Sequence, residues 1–157
     1  MKIALKYGLL ITLGVVLWIL IAHALVPDPS SKVHSLGAGV FFNLLEIVGI
    51  YLGIRAKERA NGGKLAFKEA LKTGVSIAVV YAISSCLFFL VEILILGPKM
   101  LSGEGAAGQP LWRVALGAFA GLFVGAILLG LIYSTLISFV LAKRRSAATD
   151  SLETSRH

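Results

Sequence analysis

The longest charge-free stretch of this chain runs from Val114 to Ala142, with the sequence VALGAFAGLFVGAILLGLIYSTLISFVLA. Three further apolar stretches precede it, at residues 7–26, 35–54 and 73–97. An α-helix needs about 20 apolar residues to cross a bilayer core about 30 Å thick. Each stretch is long enough, so the sequence predicts an all-α membrane protein with four transmembrane helices in a bundle.

The composition leaves room for this membrane domain and little else. The chain has 157 residues, 57% of them apolar, and a mean hydropathy of +0.89. The connections between the stretches are too short for a separate soluble domain, so we expect one membrane domain over residues 1–145. The polar tail, residues 146–157, is expected to be disordered and cytoplasmic. The apolar runs are continuous rather than alternating, which argues against a β-barrel.

The positive charges indicate the orientation of the four stretches. Of the 15 Lys and Arg residues, 12 fall in the two termini and the middle connection. The other three are Lys32, Lys99 and Arg113. Because cytoplasmic segments carry the Lys/Arg excess, we expect both termini to be cytoplasmic. The same excess should attract anionic lipid headgroups, and we do not expect a nucleic-acid partner.

The first stretch has a rival interpretation as a signal peptide. Lys2 and Lys6 precede it, and Ala22-His23-Ala24 near its end resembles a cleavage site. Its 20 apolar residues exceed the usual signal-peptide core of about 7–15. We therefore expect a retained helix.

A short pattern occurs twice in the chain. Residues 4–11 and 70–77 share A-L-K-x-G-x-x-I, at the start of the first and third stretches. This repetition predicts two helical hairpins in tandem, related by an axis along the membrane normal.

Two segments carry a family resemblance. Lys6-Tyr7-Gly8 and the segment Phe67–Gly74, in a four-span chain of this length, resemble the bacterial membrane proteins grouped as domain of unknown function 4199. The resemblance implies a four-helix protein of the bacterial inner membrane. That family has no established activity or catalytic residues. The connection between its last two spans is often longer and more acidic than the Gly-rich one here.

Glu46 is the most informative single residue, because it lies near the middle of the second stretch. A charge at that depth is costly and must face the bundle interior or water. One interpretation makes Glu46, with Asn43 beside it, a protonatable site in a solute or proton path. The other makes it a protonated carboxyl hydrogen-bonded to Asn43, Ser84, Ser85 or a backbone carbonyl, joining helices. The residues leave both open.

A second carboxylate, Glu92, lies late in the third stretch, near the outer interface. Pairing with Lys99 or solvation there is the simpler expectation, although Glu92 is also a candidate for the solute site. His23, His34 and Asp28 fall at similar depth and could form an outward metal or proton site with it. Because no ligand spacing supports such a site, we expect no metal and no cofactor.

Glycines at four-residue spacing mark faces on which helices approach closely. Gly49 and Gly53 form such a pair in the second stretch, and Gly117, Gly121 and Gly125 form a ridge in the fourth. Packing inside the bundle is the preferred interpretation of the ridge, and packing on a neighbouring subunit is the alternative.

No nucleotide-binding loop, nucleophile motif or metal-ligand cluster occurs in the chain, so we do not expect an enzyme. The leading functional hypothesis is a scaffold or accessory role, through assembly with itself or with a partner membrane protein. The alternative is a small proton-coupled transporter or channel with Glu46 as its protonatable group.

Overall fold

The computed structural model describes residues 2–25, 32–96 and 110–154, and in those ranges every regular element is an α-helix. The four helices are α1 (Lys2–Leu25), α2 (Lys32–Ala60), α3 (Phe67–Leu96) and α4 (Leu111–Thr154). Each is long and apolar enough to cross a membrane. The prediction of an all-α protein with four such helices is confirmed.

The bundle is built around its two middle helices. α2 and α3 pack against each other, and both also contact α1 and α4. The largest fully buried apolar side chains are isoleucines from the first three helices: Ile11, Ile50, Ile54 and Ile77. Residues on the inner faces of α2 and α3 therefore meet side chains from several helices at once.

The outer surface of the bundle is apolar. On α1, for example, Leu13, Leu17 and Leu20 are 56%, 50% and 60% exposed. Buried positions include polar groups, among them Thr12 and Glu46. Exposing such a surface to water would cost free energy, whereas exposing it to lipid tails would not, because the tails are as apolar as leucine. This distribution is typical of a small multi-pass membrane protein.

A tight turn connects α2 to the segment before α3. Gly62 and Gly63 have φ angles of +67° and +81°, which residues other than glycine rarely adopt. The Gly63 N–H donates to the Glu58 carbonyl oxygen at 2.9 Å, which caps the end of α2. The chain then reaches Phe67, where α3 begins.

The helices extend beyond the apolar stretches that predict them, and α4 does so most. It continues to Thr154, whereas the sequence predicts disorder after residue 145. Residues 146–154 contain no glycine or proline, so nothing in the local sequence ends the helix. Residues 155–157 lie outside the described ranges.

Candidate functional site

The candidate site lies where α2, α3 and α4 meet, around Glu46. Glu46 is the central residue of α2, about 21 Å along the axis from either end at 1.5 Å per residue. Its side chain is only 3% exposed. One carboxylate oxygen, Oε1, has no hydrogen-bond partner among the described residues. A buried carboxyl of this kind costs free energy unless a proton or another group compensates it.

Gly130 allows α4 to approach this carboxyl. A Cβ atom at Gly130 would overlap the side chain of Ala78 on α3 and would come 2.9 Å from Glu46 Oε1. Only glycine therefore fits at this point without a shift of the neighbouring helices. Sequence reasoning did not single out Gly130 or Ala78, although both are small residues in apolar helices.

Two tyrosines flank the carboxyl. Tyr81 on α3 is buried and follows Ala78 by three residues, and Tyr133 on α4 is partly buried and follows Gly130 by three residues. The Tyr133 hydroxyl donates to Asn43 Oδ1 at 2.5 Å, and Asn43 Nδ2 donates to the Gly39 carbonyl oxygen at 2.7 Å. Asn43 therefore bonds to groups other than Glu46.

Ser84, another partner expected for Glu46, also bonds elsewhere. Its hydroxyl donates to the Val80 carbonyl oxygen at 2.8 Å and shares a 2.5 Å hydrogen bond with the Thr12 hydroxyl of α1. Two other pairs join helices by side-chain hydrogen bonds near this level, Thr12 with Ser84 and Asn43 with Tyr133. Ser85, the third expected partner, is buried nearby on α3.

A line of buried hydroxyls leads from Gly130 along α4. Ser134 and Ser138 follow it at four-residue spacing and are 0% and 1% exposed. Ser134 donates to the Gly130 carbonyl oxygen at 2.5 Å, and Ser138 Oγ has no partner within the described chain. Each four-residue step advances about 6 Å along the helix. The line therefore runs from the level of Glu46 toward the end where α3 begins, because Ser134 lies against Gly74.

Glu92 does not belong to this site. It is partly buried on α3, 14 residues beyond Ala78, which corresponds to about 21 Å along the helix axis. Lys99, its expected partner, lies outside the described residues. The side chains of His23 and His34, and all of Asp28, also fall outside them, so the outward metal or proton site stays an untested alternative. Among the residues that are described, no group of three His, Cys, Asp or Glu could hold a metal ion.

The predicted packing glycines separate into two groups. A Cβ at Gly49 would overlap Ile11, and one at Gly53 would overlap Ile77, so both glycines lie at close helix contacts. At Gly117, Gly121 and Gly125, a Cβ would meet no atom of the described chain within 4 Å. The preferred interpretation, that this ridge packs inside the bundle, therefore does not hold here. The buried residues in the described part of α4 are instead Gly130, Ser134, Ser138 and Leu141.

Comparison with known families places the chain in a group without an assigned function. The family model described as Protein of unknown function (DUF4199) matches residues 6–103, and the chain belongs to this family. The matched range contains Glu46 and nearly all of α1 to α3, and α4 lies beyond it. No curated protein and no solved structure matches the chain. The family and the four apolar helices together fit a small membrane protein.

Proposed function

We propose that this protein is a small proton-coupled transporter or channel, with Glu46 as the group that binds and releases the proton. One observation carries this proposal: a carboxyl that is 3% exposed has an oxygen without a hydrogen-bond partner in the described chain, at the junction of three helices. A purely structural carboxyl is expected to satisfy its oxygens, because an unmet buried acceptor costs about 1–3 kcal/mol.

The surroundings of Glu46 support a role in proton transfer. The hydroxyls of Ser134 and Ser138 can each donate and accept a proton, and they follow one face of α4 from the level of Glu46. The nearby tyrosines add two further hydroxyls. Intramembrane carboxylates with such neighbours are candidates for proton relays by default. We infer no covalent chemistry and no enzymatic activity.

The proposal is tested in liposomes that contain the full-length protein and a pH-sensitive dye. We expect an imposed pH gradient to dissipate faster than in protein-free liposomes, and Glu46→Gln to abolish the difference. Glu92→Gln is the matched control, because it removes the other intramembrane carboxylate about 21 Å away along the bundle and should leave the flux unchanged.

Two results would count against this function. One is proton flux in the wild type no faster than in empty liposomes, both alone and with candidate solutes on one side. The other is full flux in Glu46→Gln. Circular dichroism and size-exclusion profiles of the variants show whether a loss of flux reflects a loss of fold.

A scaffold or accessory role is the second candidate, and the open ridge on α4 favours it. In its most apolar stretch, 6% of the residues of α4 are buried, against 22–28% in the other three helices. Gly117, Gly121 and Gly125 offer a smooth face that the described part of this chain does not cover. A second copy or another membrane protein could pack there as small-residue faces do in membranes.

We further propose that the protein resides in a bacterial inner membrane with both termini in the cytoplasm. The Lys/Arg excess at the termini and in the connection after α2 supports this orientation. Cys86 is the single cysteine of the sequence, and its replacement by serine leaves no native thiol to be labelled. In that Cys86→Ser background, Asn61→Cys and a tag after His157 should both be inaccessible to impermeant reagents in intact cells. Labelling of the two positions from opposite faces would contradict the proposed topology.

A further inference from the structure

The end of the bundle where α1 begins contains a cleft of about 980 Å³. Its walls come from the start of α1, the end of α2 and the first turns of α3. Its volume lies at the upper end of the range for small-molecule sites, about 300–1,000 Å³. We infer that this cleft binds one anionic phospholipid, with the headgroup phosphate among its lysines and an acyl chain along its apolar wall.

The charge of the cleft selects an anion. Lys2, Lys57 and Lys72 line it, one from each of the three helices, against a single carboxylate, Glu69. Each lysine carries a positive charge and three N–H donors, which phosphate oxygens accept. Basic pockets between helices at the cytoplasmic side of membrane proteins are typical sites for anionic headgroups. Three helices converge here, so the site is more specific than a general attraction between a basic surface and the membrane.

The two hydroxyls in the cleft already bond to their own helix. Thr73 Oγ1 donates to the Glu69 carbonyl oxygen at 2.8 Å, and Ser76 Oγ donates to the Lys72 carbonyl oxygen at 2.7 Å. The donors for a phosphate must therefore come from the lysine ammonium groups.

The opposite part of the cleft is apolar, which favours a lipid over a free anion. Val75, Val79 and Val80 line it from α3, and Leu5 lines it from α1. Val80 also packs against Gly8, where an added Cβ would overlap the Val80 side chain. α1 and α3 are therefore in direct contact at that depth. From Lys72 to Val79 the helix advances about 10 Å, enough for a headgroup and the first part of an acyl chain.

The test uses the full-length protein in a non-ionic detergent, with bound lipid counted by native mass spectrometry and affinity measured by thermal unfolding at increasing lipid concentration. We expect one tightly bound phosphatidylglycerol per chain and a rise in melting temperature that saturates with it. Phosphatidylcholine should bind more weakly, because its headgroup has no net charge. Inorganic phosphate at the same concentration should not raise the melting temperature, because it lacks the acyl chain.

The variants compare lysines inside and outside the cleft. Lys72→Gln and Lys57→Gln should each weaken phosphatidylglycerol binding about fivefold, which corresponds to about 1 kcal/mol for one lysine near an anionic group. Lys68→Gln is the matched control, because Lys68 is exposed on the same helix one turn before Lys72 and does not line the cleft. It should leave the affinity unchanged. Lys72→Arg keeps the charge and should retain most of the binding even if a neutral substitution disturbs the fold.

Three results would overturn the inference. If Lys68→Gln weakened phosphatidylglycerol binding as much as Lys72→Gln, the lysines would act only through a general attraction between the basic surface and the lipid. Equal binding of phosphatidylcholine would show that the lysines do not recognise the headgroup. Stabilisation by inorganic phosphate alone, equal to that by the lipid, would leave no role for the apolar wall. The experiment does not involve Glu46, so its outcome is independent of the proposed proton site.

Discussion

The two halves of the apolar stretch of α4, residues 114–142, carry the same kind of sequence signal and have opposite surroundings. In the first half, a Cβ atom at Gly117, Gly121 or Gly125 would meet no other part of the described chain within 4 Å. In the second half, Gly130 and Ser134 follow the same four-residue spacing, yet they lie tightly against Ala78 and Gly74 of α3.

Helix rotation explains the difference. Gly130 follows Gly125 by five residues, which places it about 140° around a helix of 3.6 residues per turn. The two small-residue stripes therefore lie on different faces of α4, and only one of them can point into the bundle. Spacing alone reveals that a face is smooth, whereas the rotation of the helix decides what that face contacts.

The largest effect on stability is expected at Gly130. We expect Gly130→Leu to lower the free energy of unfolding by about 3 kcal/mol, because the new side chain would overlap Ala78 and crowd Glu46. Thermal or denaturant unfolding in detergent measures the effect. A Gly130→Leu protein as stable as the wild type would mean that α4 does not dock on α3 through this face.

A smaller effect should occur at Gly74, opposite Ser134. Gly74→Ala should cost about 1–2 kcal/mol, because the added methyl group would meet the Ser134 side chain. Ser134→Gly removes that obstacle, so the double variant should be more stable than the sum of the two single changes predicts. The double-mutant cycle should give a coupling of about 1 kcal/mol, and strict additivity would contradict the contact.

The hydrogen bond between α4 and α2 should contribute less. Tyr133→Phe removes the donor to Asn43 Oδ1, and we expect a loss of about 0.6 kcal/mol, the average for hydrogen bonds between membrane helices. Tyr7→Phe serves as the control, since it removes a tyrosine hydroxyl from another part of the bundle. Equal losses in the two variants would indicate that the bond with Asn43 is not a specific contribution.

The smallest effect on stability should come from the open ridge. Gly121→Leu should change the free energy of unfolding of the single chain by less than about 0.5 kcal/mol, because nothing in the described chain lies near it. If the ridge binds another copy, the same change should reduce dimers counted by single-molecule photobleaching in bilayers. Ala120→Leu, also exposed but about 100° around the helix, is the control and should leave the dimer fraction unchanged.

Much of the fold follows from local sequence. Hydropathy marks all four helices, and the absence of a break after Phe67 agrees with its position at the start of a continuous α3. The depth of Glu46 in its apolar stretch predicts that it faces the bundle interior or water, and its side chain is buried in the bundle interior. These properties depend on residues within one helix, so the sequence of that helix is enough to predict them.

The composition of the site could be predicted only in part. Glu46 and Asn43 share a face of α2 because they are three residues apart. Nothing local to α2 indicates that Asn43 bonds to Tyr133, or that Gly130 lies across from Glu46. The four-residue spacing of Gly130, Ser134 and Ser138 was available as a signal. The more regular glycine ridge nearby carried the stronger packing pattern.

The sequence by itself determined that this is an all-helical membrane protein, because a backbone in lipid must satisfy its hydrogen bonds within each helix and apolar length can be counted along the chain. Only the tertiary structure decided which small-residue face α3 covers and which polar groups surround Glu46. Those partners come from other helices, and their meeting depends on the rotation and depth at which each helix packs.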